Sequence, residues 1–157
     1  MEKTERLAGK RILIVDDEPD VVQTLKDLLS MCDVVGALDF ETAQALLKKE
    51  PFDMAILDIM GVEGYDLLKI ANQKGVVAVM LTAHALSPQN VMRSYEGGAA
   101  SYVPKDEMAK IATYLNDVLE AKEKGKSTWW RWFDRFADYF DKKFGPDWQK
   151  RHRITVR

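Results

Sequence analysis

Apolar runs of strand length alternate with amphipathic stretches along this chain, and that alternation leaves few folds open. RILIV (11–15), DVVGA (33–37), FDMAILD (52–58), VVAVMLT (76–82) and ASYVP (100–104) are the apolar runs. Between them, PDVVQTLKDLLSM (19–31), FETAQALLKKE (40–50), EGYDLLKIANQKG (63–75) and SPQNVMRSYEGG (87–98) have helical periodicity, and DEMAKIATYLNDVLEAKEK (106–124) closes the series. Pro19 and Pro88 suit first helical turns, Ser87 is a candidate cap, and Gly75 can stop a helix. Runs that are apolar throughout, rather than at every second position, belong to strands buried on both faces. Flanking helices then cover a parallel sheet, which makes the fold class α/β.

The first run ends abnormally for a buried strand. RILIVDDEPD places Asp16, Asp17 and Glu18 directly after Val15. Two further polar groups fall at strand ends, Asp58 after the third run and Thr82 after the fourth, and Lys105 follows the fifth. Ligands of open α/β sheets bind outside the carboxyl ends of the strands, where the strand order reverses. Side by side, the first, third, fourth and fifth strands would gather Asp16, Asp17, Asp58, Thr82 and Lys105 into one crevice. Three carboxylates a few ångströms apart stay ionised only beside compensating charge; otherwise a pKa rises. An all-oxygen site of this kind suits Mg²⁺, which takes one or two carboxylates, a carbonyl, waters and a phosphate oxygen. A lysine ammonium and a threonine hydroxyl are then ready partners for a phosphoryl group on one carboxylate. Glu18 reads as an early-helix acid favoured by the helix dipole.

LIVDDE (13–18), AILDIM (55–60), VMLTAHA (79–85) and ASYVPKD (100–106) together resemble the receiver domains of bacterial response regulators. The resemblance covers about residues 10–122. It implies a flavodoxin-like, doubly wound sheet of five parallel strands in the order 2-1-3-4-5. It further implies that Asp58 accepts phosphate from a sensor histidine kinase or phosphotransfer protein. Asp17 and Asp58 would bind Mg²⁺ directly, with the carbonyl of Met60, and Asp16 through water. Thr82 and Lys105 would contact the phosphoryl group, and Tyr102 takes the place of the aromatic that switches with Thr82. Two departures stand out: the loop after Asp58 is short and lacks a proline, and Pro104 precedes Lys105 instead of following it. An aspartyl-phosphate phosphatase would need an acid two residues after Asp58, where Met60 stands, so a signalling protein and not an enzyme is expected. A phosphate-independent scaffold acting through the C-terminus is the alternative.

Charge divides the chain. Residues 1–121 carry 12 Lys and Arg against 20 Asp and Glu, whereas residues 122–157 carry 11 against 5. The reading is a receiver over 10–122, a linker over 123–127, an amphipathic aromatic helix over 128–145 and a basic tail over 146–157. Trp129, Phe133, Phe136, Phe140 and Phe144 form one stripe of that helix, flanked by Trp130 and Trp132, with charged residues opposite. Ser127 or Thr128 can cap its start, and Gly145-Pro146 ends it. Buried aromatics remove roughly 150–250 Å² each from water, so the stripe needs a cover. Four covers are open: the chain's own body, a second copy in a homodimer, a partner's groove, and a membrane surface, which Asp134, Asp138 and Asp141 disfavour. The extension is too short for a dedicated DNA-binding domain. The charged start has no apolar signal core and the lone Cys32 allows no internal disulfide, so a cytoplasmic protein is expected.

Overall fold

Met54, Ala55, Ile56, Leu57 and Asp58 are all buried, as a strand must be when it has neighbours on both edges and helices on both faces. The structure, a computed structural model, describes residues 6–83, 88–132 and 134–136. Strands β1 (Arg11–Val15), β2 (Asp33–Ala37), β3 (Met54–Asp58), β4 (Val77–Thr82) and β5 (Ser101–Pro104) alternate with five helices. These are α1 (Pro19–Leu28), α2 (Phe40–Lys49), α3 (Gly64–Gln73), α4 (Pro88–Glu96) and α5 (Ile111–Glu123). The strands form one parallel sheet in the order β2-β1-β3-β4-β5. Helices lie on both of its sides, with α1 packed near α5 and α2 beside α3. No helix among the described residues is long and apolar enough to cross a membrane.

Register matters more to the site than strand order alone. Val15 pairs with Leu57, Asp58 with Leu81, and Thr82 with Pro104. The carboxyl ends of β1, β3, β4 and β5 are therefore level, and whatever follows each strand emerges at the same edge of the sheet. The apolar stretches behind that edge, Ile12 to Val15, Met54 to Leu57 and Val79 to Leu81, are at most 1% exposed. They fix the frame through burial worth about 1.5–3 kcal/mol per large side chain.

Two elements differ from the sequence reading. The last helix, expected from Asp106, begins at Ile111, and Lys105–Lys110 form a 3₁₀ turn instead. No side chain in that turn is fully buried, Met108 being only partly covered by the core, and Ile111 is the first to be enclosed. The C-terminal extension runs through turns at 128–131 and is helical at 132 and 134–136, a later start than expected. Ser127 does cap this entry, its Oγ accepting the Trp129 backbone N–H at 3.1 Å. Its buried aromatics are Trp129, Trp132 and Phe136, while Trp130 is 38% exposed. Trp132 thus belongs to the inward side rather than to the flank. Phe133, Phe140, Phe144, His84, Ser87 and the basic tail lie outside the described residues.

For the described part of this extension, the cover is the chain's own body. Trp129 meets Tyr95 of α4 edge to face with ring centres 5.3 Å apart, and Phe136 lies 4.8 Å from Tyr114 of α5. Such pairs add about 0.5–1.5 kcal/mol each beyond simple burial.

The short loop between β3 and α3 has a steric cost. A methyl group at Gly64 would run into the carbonyl oxygen of Asp58 and the backbone of Ile59. Gly75, by contrast, has open space around it and a φ of +74°. Gly64→Ala should therefore lower stability in urea denaturation by about 1–3 kcal/mol or more, because backbone atoms cannot repack. Gly75→Ala should cost only about 1 kcal/mol, the strain of a left-handed alanine. Equal losses at the two positions would contradict this account of the loop.

Candidate functional site

Asp16 follows β1 directly and its N–H still pairs with the sheet, donating to the Ala37 carbonyl at 3.1 Å. That bond aims its carboxylate inward, where it is fully buried. Asp16 Oδ1 accepts the Glu18 N–H at 2.9 Å, shaping the turn into α1. Asp17 points to solvent beside it. Asp58 ends β3 at 5% exposure and Thr82 ends β4 at 1%. One carboxylate oxygen from each of Asp16, Asp17 and Asp58 lies within 4.8 Å of the other two.

Lys105 closes the group. Its Nζ sits 2.8 Å from Asp16 Oδ2, 3.1 Å from Glu18 Oε1 and 3.6 Å from Asp58 Oδ1. Burial works against the ammonium, but the close pairing with Asp16 and Glu18 and the charge of Asp58 outweigh it, holding its pKa above the ordinary lysine value. Glu18 is thus more than an early-helix acid: it is the outer anchor of Lys105. The only hint in the sequence was its adjacency to the acidic pair.

One ammonium is not enough for four carboxylates. Burial first, and then the charge of Asp16, push the Asp58 carboxyl up to about 7 from an ordinary 3.8, against the opposing pull of Lys105. Apart from its 2.8 Å ion pair with the Lys105 ammonium, the buried Asp16 Oδ2 has no hydrogen-bond partner among the described residues. A buried carboxylate oxygen so poorly served is costly. Three converging carboxylates with an underused oxygen suit a hard divalent cation of the Mg²⁺ type.

Asp17, Glu18, Asp58, Met60, Thr82 and Lys105 line an open cleft of about 280 Å³. Met60 is 61% exposed at its rim. Gly61 has a φ of +82°, and a Cβ there would come within 2.6 Å of Asp17 Oδ2. The loop therefore passes close against the Asp17 carboxylate in a left-handed conformation that favours glycine, a preference that no sequence motif announced. Glu63 holds a left-handed φ of 55°, uncommon for a residue with a side chain. The shortened loop is tight because it must turn into α3 within five residues of Asp58. Tyr102, fully buried on β5, stands three residues before Lys105 and so lies beside this cleft rather than in its lining.

The site's pH dependence has a definite sign. The folded chain keeps the Asp58 proton up to about pH 7, whereas an unfolded aspartate releases it near its ordinary 3.8. Protonation therefore favours the folded state, and stability declines as pH climbs from about 4 to about 7. Without divalent cations, Asp58→Asn should be more stable than wild type by a few kcal/mol at pH 8 and nearly equal at pH 4. Denaturation curves at the two pH values, repeated with Mg²⁺, check this; Mg²⁺ should narrow the gap at pH 8.

A family model described as the response regulator receiver domain matches residues 12–116. The response regulator GtcR of Aneurinibacillus migulanus is 28% identical over 124 residues, covering 73% of this chain and 51% of that protein. The transcriptional regulatory protein CpxR of Klebsiella pneumoniae is 39% identical over 100 residues, covering 60% of this chain and 42% of that protein. The chain thus spans about half the length, or less, of these relatives. Among solved structures, a CheY-like receiver domain protein from Methanospirillum hungatei superposes with a TM-score of 0.67 at 28% identity, over 75% of this chain and 99% of that one.

Proposed function

The chain belongs to the response regulator receiver family, and from that premise we propose that it is the phosphoacceptor of a two-component system. Asp58 receives a phosphoryl group from a sensor histidine kinase or a phosphotransfer protein. The observation that carries this reading is the convergence of Asp16, Asp17 and Asp58 on one point with Lys105 against them.

The transfer asks little covalent chemistry of the protein. A carboxylate oxygen of Asp58 attacks phosphorus, the O–P bond forms, and the N–P bond to the donor imidazole breaks. The imidazole leaves with that electron pair. What accelerates such a loose transition state is positioning and charge neutralisation. Asp58 attacks only as the carboxylate, so its raised pKa holds it back at neutral pH. Asp17 and Asp58 would hold Mg²⁺, with the carbonyl of Met60 and with Asp16 acting through water. When bound, the cation supplies the positive charge that ionises Asp58 and screens the incoming phosphoryl oxygens. Lys105 turns from the acids toward the phosphoryl oxygens, and the Thr82 hydroxyl donates to one of them. Tyr102 responds to the movement of Thr82 and carries the change into β5. Output then runs through protein–protein contacts.

Beryllofluoride, a mimic of the acyl phosphate, provides the test. Wild type should bind it only with Mg²⁺, and Asp58→Ala should abolish binding, as read by fluorine-19 NMR on the full chain. Lys105→Ala should weaken binding about tenfold or more, since it removes a charge-assisted contact worth roughly 1.5–3 kcal/mol. Undiminished binding by Asp58→Ala would end the reading.

A further inference from the structure

The C-terminal segment does more than shield apolar surface, because two of its hydrogen bonds grip the strand that carries Lys105. Trp129 Nε1 donates to the Ala99 carbonyl at 2.9 Å, two residues before β5 begins. Trp132 Nε1 donates to the Tyr102 carbonyl at 2.8 Å, inside β5 itself. β5 is four residues long and lies at the edge of the sheet. Only two residues, Val103 and Pro104, separate Tyr102, whose carbonyl Trp132 holds, from Lys105, whose ammonium Asp16, Glu18 and Asp58 hold.

The other half of the seat is electrostatic. Asp117 and Glu120 lie on the buried side of α5, at 9% and 8% exposure. Arg135 forks onto Asp117 at 2.7 and 3.0 Å, and Arg131 onto Glu120 at 3.0 and 3.3 Å. Such two-point pairs fix orientation as well as contributing energy. They replace the water that these two acids would otherwise hold, so the segment and α5 match in charge as well as in shape. Between α5 and the segment stands Gly125, at φ +68° with nothing within 4 Å of where a Cβ would be.

We propose that segment 128–136 is an intramolecular ligand of the face formed by α4, β5 and α5, seated while Asp58 is unmodified and released when Asp58 carries a phosphoryl group. The proposal rests on the phosphoacceptor reading above and names how that site is read out. In the seated state Lys105 is drawn between Asp16 and Glu18. A phosphoryl group on Asp58 places new negative charge on the other side of the ammonium, and Lys105 shifts toward it. The four-residue strand behind it moves as a unit, because extended backbone paired on one edge has little slack. The Ala99 and Tyr102 carbonyls then leave the positions that the two indoles require. Coupling of this kind is reciprocal: a phosphoryl group that weakens the seat is itself bound more tightly when the seat is broken.

Hydrogen exchange on the full chain with Mg²⁺, with and without beryllofluoride, tests the proposal. The amides of Trp132 and Arg135 are bonded within the segment, to the Trp129 and Arg131 carbonyls, and should exchange about tenfold faster once beryllofluoride is bound. In Asp58→Ala they should not change. The reverse arm uses Trp132→Phe, which keeps an aromatic ring of smaller size and loses the indole N–H, and the pair Arg131→Ala with Arg135→Ala, which leaves the aromatics in place. Each should raise beryllofluoride affinity about fivefold or more, the lower range of measured couplings. Fluorine-19 NMR reads the binding separately. Absence of binding would overturn the phosphoacceptor reading and this proposal together. Binding with unchanged or slower exchange in 128–136, or with unchanged affinity in both seat variants, would overturn this proposal alone.

Discussion

The ammonium of Lys105 against the buried carboxylate of Asp16 is the contact on which the rest of this molecule turns. At 2.8 Å, with Asp16 fully buried and the Lys105 side chain 12% exposed, it offsets a charge that the sheet would otherwise expel. It cannot offset all of them. With Asp58 3.6 Å away and Asp17 and Glu18 adjoining, the cleft is left with a surplus of negative charge. That surplus is what makes the site responsive. A fully neutralised pocket would have no reason to draw in a cation, and without Lys105 the Asp58 carboxyl would lose the charge that opposes its upward shift.

Topology converts this local imbalance into a site. The acids and the lysine come from positions 16, 17, 58 and 105, separated by most of the domain's length. They meet because parallel strands all point the same way and the register levels their ends. Helices are long connections, and they return each strand to the starting edge. The same geometry explains the tight β3–α3 loop. Gly61 and Gly64 let the backbone pass close to Asp17 and Asp58, and Glu63 takes a left-handed conformation to complete the turn. Strain of this sort tends to persist only where surrounding structure over-determines it. Here the surroundings are the buried strand on one side and the first turn of α3 on the other.

The C-terminal segment extends this logic beyond the family's domain, since the family match ends at residue 116. Its contacts combine two kinds of interaction with different reach. Trp129, Trp132 and Phe136 supply apolar area with no directional demand. The indole N–H bonds to β5 and the arginine forks on α5 demand a single placement. An interface held by area alone tolerates small shifts of its floor, whereas one held by directed bonds to a strand does not. This distinction gives the segment its sensitivity to whatever moves Lys105.

Much of the fold was legible in the residues themselves. Continuous apolar runs between amphipathic stretches determine an α/β parallel sheet, since such runs can be satisfied only by burial on both faces. The acids and the lysine at run ends likewise identified the chemistry of the cleft, because carboxylates adjoining buried strands need compensation wherever they sit. Sequence did not reveal that Glu18 anchors Lys105, that Gly61 must pass Asp17, or that α5 starts at Ile111 instead of Asp106. Nor did helical periodicity identify Trp132 as an inward residue, since the segment enters through turns that rotate the wheel. What covers Trp129 and Phe136 was open on four counts until tertiary structure set α4, β5 and α5 beneath them. The physical reason is common to all of these. Periodicity and composition report what a residue needs, such as burial, charge or a partner. Which partner meets the need depends on distances across the fold, and only the folded chain sets those.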